Sequence, residues 1–250
     1  MTPGPPTVHV LTPTKDRPDR LRDALASLQA QTHGAWRAWV VDDGDGSGVA
    51  AVREQGDPRL HAERNPGRGQ VDARNAALDA ALAHADRDLD VVMLLDDDDR
   101  LRDAEHLAAV VARLADGPAL VHRGGWFAFE ADARREPFDP PTSVASLRHD
   151  NTVLTVGLAW PAALHADLGR FDPAMGSYFD WDWILRVTDA GVPLAHLAGL
   201  GVEYRVHDAN TSGRPSEVRT AAFERFVAKH ALDVVQKDHV AVHRERRGEG

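Results

Sequence analysis

The 250-residue chain contains no cysteine. Disulfides, thiolate nucleophiles and cysteine-ligated zinc are therefore excluded. Positive charge is also scarce: 29 Lys plus Arg stand against 39 Asp plus Glu, a formal net charge of −10. That balance argues against non-specific binding to nucleic acid or to anionic membranes. A phosphate group would need local basic residues or a bridging cation to approach such a chain. No apolar run nears the roughly 20 residues that a membrane-spanning helix needs. The segment Met1-Thr2-Pro3-Gly4-Pro5-Pro6 has neither the basic nor the apolar region of a signal peptide. A cytoplasmic protein without an integral membrane segment is the expectation. No internal repeat is present. Hydrophobic residues make up 43% of the chain, enough to bury a substantial core.

What is present is most informative at Val91-Val92-Met93-Leu94-Leu95, which runs directly into Asp96-Asp97-Asp98-Asp99. Five consecutive apolar residues read as a strand buried on both faces. Four carboxylates cannot follow it into the core, because unpaired buried charge is too costly. Open α/β sheets place ligands at strand C-termini. Adjacent carboxylates there suit Mg2+ or Mn2+ shared with a phosphate. The plain alternative is a solvated acidic turn.

The same alternation extends along the first ~115 residues and predicts a mostly parallel sheet with crossover helices. Strands are expected at Thr7–Leu11, Trp36–Val41, Leu60–Ala62 and Val91–Leu95. Helices are expected from Pro18, after Gly48, over Asp72–Ala85, and through Leu107, Val111 and Leu114. Pro18 suits a first helical turn. The second half is less regular. Ala119–Gly124 and Trp126–Phe129 read as two strands, 130–150 as a mobile Pro-rich loop, and Asn151–Trp160 as a further strand. Phe179–Ala190 reads as a helix with Trp183, Ile184 and Val187 inward. Val202–Val206 is a short strand leading to His207. Arg214–Lys229 is a C-terminal helix, and the charged end from Lys237 is expected to fray.

Candidate chemistry gathers at strand ends and helix starts. Asp42-Asp43 precedes a Gly-rich turn, where aspartate serves turns and caps or binds a base or ribose. Asp180-Trp181-Asp182 opens a helix, where carboxylates also complement the helix dipole. Two positions apart, the two aspartates point about 200° around the helix, so both cannot serve one role. His207 follows a strand. Arg68 and Arg74 flank a Gly-containing loop and are within reach of phosphates, or are ordinary surface arginines.

Taken in order, Thr12-Pro13-Thr14-Lys15-Asp16-Arg17-Pro18, Val40-Val41-Asp42-Asp43-Gly44, Ala73-Arg74-Asn75, Leu95 to Asp99, Gly169-Arg170-Phe171-Asp172, Phe179-Asp180-Trp181-Asp182 and Tyr204-Arg205-Val206-His207 resemble family 2 glycosyltransferases of the GT-A fold. Each motif is short; their order and spacing across residues 7–212 carry the resemblance. It implies an α/β/α sandwich of one domain over 7–232. The nucleotide-sugar half would span 7–115, the acceptor and catalytic half 116–212, and a C-terminal helix 213–232. A disordered tail would precede it at 1–6 and a charged one follow at 233–250.

It further implies a hexosyltransferase-type enzyme. Such an enzyme moves a sugar from a nucleotide-diphosphate donor to an acceptor hydroxyl, with inversion and with Mn2+ or Mg2+. The acceptor would be a small molecule or a saccharide. By position, Thr12, Pro13, Thr14, Asp16 and Asp43 would hold the base and ribose. Arg68 and Arg74 would contact the diphosphate or base. The aspartate run matches the family's DXD motif, in a register its repetition leaves open. Asp99 is favoured as direct metal ligand, with Asp97 and Asp98 on metal, ribose or water, and His207 completing the site. Asp180 matches the usual base. Trp181 and Asp182 would face the acceptor, Asp182 alternatively giving structural support. One residue departs: Phe179 stands where the family carries glutamate.

Three rivals are weaker. A nucleotidyltransferase would carry a Gly-rich loop after the first strand, and Thr12–Pro18 has no glycine. An aspartyl phosphohydrolase would want a small hydroxyl residue after Asp-x-Asp, against Arg100 here. A non-catalytic sugar-nucleotide binder would have lost the base, against Asp180.

Overall fold

The computed structural model describes residues 4–210 and 216–248. The start of the N-terminal tail, Thr211 and Ser212, the start of the expected helix at Arg214, and the last two residues lie outside them.

In the N-terminal half, β1 (Val8–Thr14), α1 (Pro18–Gln29), β2 (Trp36–Asp42), α2 (Ser47–Gln55), β3 (Leu60–Arg64), α3 (Gly69–His84) and β4 (Val91–Leu94) alternate. β5 (Arg100–Leu101), α4 (His106–Ala115), β6 (Leu120–Phe129), β7 (Arg135–Phe138), β8 (Ala159–Pro161), α5 (Leu164–Leu168), α6 (Phe179–Asp189), β9 (Leu194–Val206), α7 (Glu217–His230) and α8 (His239–Arg246) complete the order. One sheet joins all nine strands in the order β3-β2-β1-β4-β8-β6-β9-β5, with β7 on β6. β3, β2, β1 and β4 are mutually parallel. β8 runs antiparallel between β4 and β6, and β9 lies parallel to β6 along most of its length.

β1 and β4 are buried along their whole length, as strands covered on both faces must be. Two apolar layers flank the sheet. One packs Leu21, Leu25, Leu28, Val52, Leu107 and Val110 of α1, α2 and α4 against it. The other packs Ala77 and Leu78 of α3, Trp183 and Ile184 of α6, and Phe226 of α7.

The structure corrects four expectations. β6 is a single strand whose register slips around Gly124 and Gly125, where two strands were expected. A bulge lets one strand bend without ending. The stretch 130–150 contains β7, with Glu136 and Phe138 buried and Arg135 and Pro137 exposed. Of Asn151–Trp160, only the end joins the sheet, as part of β8. The charged C-terminus forms α8 instead of fraying. Asp238 caps it by accepting from the Ala241 N–H at 2.7 Å, and His243 pairs with buried Glu136 at 2.8 Å. Burial of Val242 adds the apolar anchor.

Candidate active site

The C-terminal ends of β1, β2 and β4 open into a cavity of about 600 Å3. Its wall draws on Pro13 and Thr14 at the end of β1, Asp16 and Arg17 after it, Asp43 after β2, and Gly69, Gln70 and Arg74 of α3. Asp96, Asp97 and Asp98 after β4 join them. Asn151, Thr155, Phe179, Asp180 and Trp181 also line it, with Arg219, Val235, Lys237, Asp238, His239 and Val242 from the C-terminal segment.

At one end, Asp43 is an acceptor. Its Oδ1 takes the Asn65 side-chain N–H at 2.7 Å and the Gly69 backbone N–H at 2.8 Å. Burial pushes its carboxyl up, but these bonds and the Lys15 charge outweigh it and hold the group below its ordinary value. Its neighbour Asp42 turns inward and accepts from the Gly44, Gly48 and Val49 N–H groups, so it serves the turn and the start of α2. Asp16 has a left-handed backbone, φ 53°, which aspartate tolerates better than most residues. Its Oδ1 accepts the Asp45 N–H at 2.7 Å, and a Cβ on Gly44 would collide with it. Thr12 is wholly buried beneath the cavity floor. Arg68 is exposed and is not among the lining residues.

The acidic run forms a turn closed by the Asp99 N–H on the Asp96 carbonyl, so its four side chains splay. Asp97 accepts from Thr14 Oγ1 at 2.6 Å and lies 2.7 Å from an Arg17 nitrogen. Burial raises its carboxyl to about 6. Asp98 pairs with Arg17 at 2.5 Å and with His207 Nε2 at 3.1 Å. Burial pushes Asp98 up, but the His207 hydrogen bond and the Arg17 charge leave it below its ordinary value. The Ala209 N–H donates to His207 Nδ1 at 3.1 Å, which leaves Nε2–H to donate to Asp98. Asp96 pairs with Arg74 at 2.5 Å.

Asp99 is 1% exposed. Its Oδ1 accepts the Arg205 N–H at 3.0 Å, and its Oδ2 is buried without a partner. Burial, then the charges of Asp98 and Asp96, push its carboxyl well above the ordinary range. One carboxylate oxygen each from Asp96, Asp98 and Asp99 lie within 4.8 Å of one another. Three hard oxygens fit a divalent cation, and Asp99 holds a buried oxygen without a partner. The grouping therefore sets Asp96 where Asp97 was expected, because Thr14 and Arg17 draw Asp97 aside. His207 reaches the group through Asp98.

α6 presents Asp180 to the same cavity. Its Oδ2 accepts from Thr155 Oγ1 at 2.7 Å, and its Oδ1 from the Trp181 N–H at 2.8 Å. Asp182 is 0% exposed and points the other way, as the helical spacing requires. It sits under His230 and Lys229, each at 2.8 Å, and Arg186 at 2.9 Å. Burial pushes its carboxyl up, but the His230 and Lys229 hydrogen bonds and the Arg186 charge outweigh that and hold it low. Asp182 does not line the cavity; its partners Lys229 and His230 tie α6 to α7. Asn75 clamps the backbone of Phe171 from both sides, at 2.9 and 3.1 Å, tying α3 to the approach to α6. Phe179 lies under the Arg74 guanidinium, 4.1 Å from carbon to ring centroid. The aromatic face thus takes a cation where a glutamate was expected.

The sequence alone did not single out Arg17, Thr155, Arg219 or the C-terminal wall. Arg17 stood inside a quoted motif. The others lay in stretches read as a strand, a C-terminal helix or a fraying end.

A mostly parallel sheet thus brings the acidic turn after β4 and the helix-borne carboxylate of Asp180 to one cavity. Residues 9–152 match the family described as Glycosyl transferase family 2, and the chain belongs to that family. It is 26% identical over 248 residues to the uncharacterized glycosyltransferase YwdF of Bacillus subtilis (strain 168), covering 94% of this chain and 88% of that one. Among solved structures, S. aureus TarS 1-349 in complex with UDP-GlcNAc superposes with a TM-score of 0.69 at 14% identity. That match covers 94% of this chain and 68% of TarS 1-349. The mannosyltransferase PcManGT from Pyrobaculum calidifontis, in complex with GDP-Man and Mn2+, gives 0.63 at 19% identity over 98% of this chain and 70% of its own. The fold is GT-A, and the chain is a glycosyltransferase. Among the described residues, no helix is long and apolar enough to cross a membrane.

Proposed function

We propose that this enzyme transfers a sugar from a nucleoside-diphosphate sugar to an acceptor hydroxyl with inversion, aided by a divalent cation, with Asp180 as base. The observation that carries this reading is that one cavity is lined both by Asp96, Asp97 and Asp98 and by Asp180. Asp43 and Asp16 are disposed to accept hydrogen bonds from ribose or base. Asp96, Asp98 and Asp99 would hold the cation, which when bound supplies positive charge against the departing diphosphate. Arg17 and Arg74 hold three of the aspartates in place and keep the net charge of the run tolerable.

Asp180 takes the acceptor proton as the hydroxyl attacks the anomeric carbon from the face opposite the diphosphate. Thr155 and the Trp181 N–H fix its orientation while leaving lone pairs free. The ligands of the structural neighbours, UDP-GlcNAc and GDP-Man, support the donor class.

Substitution separates the two aspartates. Asp180→Asn should retain nucleotide affinity and lose about 10²–10⁴-fold in transfer rate. Asp182→Asn should lower stability by about 3–5 kcal/mol through broken buried ion pairs. Wild-type turnover in Asp180→Asn would remove Asp180 from the role of base.

A further inference from the structure

We propose that Arg219 is the anion-recognising residue of the acceptor subsite, selecting acceptors that carry a phosphate or carboxylate near the reacting hydroxyl. This rests on the reading of Asp180 as the base that faces that hydroxyl.

Among the described residues, three arginines line the cavity. Arg17 is committed to Asp97 and Asp98, and Arg74 to Asp96. Among the described residues, Arg219 has no carboxylate within ion-pair distance. Its Nη2 donates to the Lys237 carbonyl at 3.0 Å, and its guanidinium carbon lies 5.6 Å from the Tyr178 ring centroid. Its Nε is buried with no hydrogen-bond partner. A guanidinium carries five N–H donors in a fixed plane, shaped to grip an oxyanion through two parallel bonds. In a chain of net charge −10, a cavity-facing guanidinium left unmatched by any carboxylate is a vacant counter-charge.

Its position assigns it to the acceptor. Tyr178 stands two residues before Asp180, and its hydroxyl accepts from Gln236 at 2.7 Å. The Lys237 ammonium is already matched by Asp150 at 3.3 Å and Glu245 at 2.7 Å, so Lys237 contributes the carbonyl that aims Arg219. Asn151, next to Asp150, lies 3.4 Å from Asp180 Oδ2. None of the Arg219 contacts is to the aspartate run, where the donor diphosphate belongs.

The test uses the full chain with Mn2+ and saturating UDP or GDP, whichever stabilises it more, so that the diphosphate site is filled. Calorimetry then compares sn-glycerol 3-phosphate, glycerate and glycerol. A charged probe should bind at least tenfold more tightly than glycerol, and the better of the two identifies phosphate or carboxylate as the recognised group. Arg219→Gln should weaken that probe by about 10- to 100-fold and leave UDP or GDP affinity within twofold. Equal binding of charged and neutral probes would overturn the proposal. So would a parallel loss of nucleotide affinity in Arg219→Gln, which would move Arg219 to the donor. If that variant does not fold, the wild-type comparison of charged and neutral probes still decides. Neither arm depends on turnover, so a failure of Asp180 as base would be seen separately in the transfer rate of Asp180→Asn.

Discussion

Asp99→Asn should make the cation-free enzyme more stable and remove its response to Mn2+. The wild-type side chain holds a buried carboxylate oxygen with no partner, flanked by two further aspartates. Asparagine keeps the oxygen that accepts the Arg205 N–H. Its amide N–H groups can donate to Asp96 or Asp98, so an attraction replaces a repulsion. Relieving one unsatisfied buried polar group is worth about 1–3 kcal/mol. For a chain of this size that is a rise in Tm of roughly 2–10 °C in the presence of chelator. The wild type should recover the difference when metal is added, since a ligand at 100 times its Kd stabilises by about 2.7 kcal/mol. Thermal unfolding of both proteins, with chelator and then with increasing Mn2+, gives all four values. A variant less stable than wild type in chelator would refute the electrostatic account of Asp99. A variant that keeps the full Mn2+ shift would refute its role as ligand.

Two further outcomes follow from the same structure. His165 accepts from the Trp160 indole N–H at 3.0 Å and donates to the Gly169 carbonyl at 2.7 Å, and burial lowers its pKa from 6.5 to about 4. The unfolded chain therefore binds this proton first, and stability falls as pH drops from 6.5 towards 4. Denaturant titrations of wild type and His165→Gln at pH 7 and 4.5 should show the wild type losing about 2 kcal/mol more; equal losses would contradict the assignment. Phe179→Leu should lower stability by about 0.5–2 kcal/mol through loss of the cation–π contact with Arg74, with the Mn2+ response retained because Arg74 still pairs with Asp96. Unchanged stability in urea would show that the ring does not support the guanidinium.

The N-terminal half was legible because its signals are local. Continuous apolar runs give β1, β2 and β4, and leucines at helical spacing give α1. The later elements depend on partners distant in sequence. β7 carries a Glu and a Pro in four residues, and Glu136 is buried only because His243 arrives from α8 to meet it. α8 has little apolar pattern of its own and is held by that pair, by its cap and by Val242. The site divides in the same way. The carboxylate at the end of β4 and the aspartate opening α6 announce themselves, but four identical residues cannot reveal their own register. The turn decides it, sending Asp97 to Thr14 and Arg17 and leaving Asp96, Asp98 and Asp99 together. Arg219 and Lys237 were not legible as cavity residues, because what brings them there is the packing of a segment that reads as solvated.

The central claim is sugar transfer by in-line attack across this cavity, with Asp180 opposite the diphosphate. The anomeric configuration of the product tests it most directly. With an α-linked nucleotide sugar as donor, proton and carbon NMR of the isolated product should show a β-linkage, formed by wild type and suppressed in Asp180→Asn. An α-linked product would contradict the account, because it would require attack from the face that the diphosphate leaves.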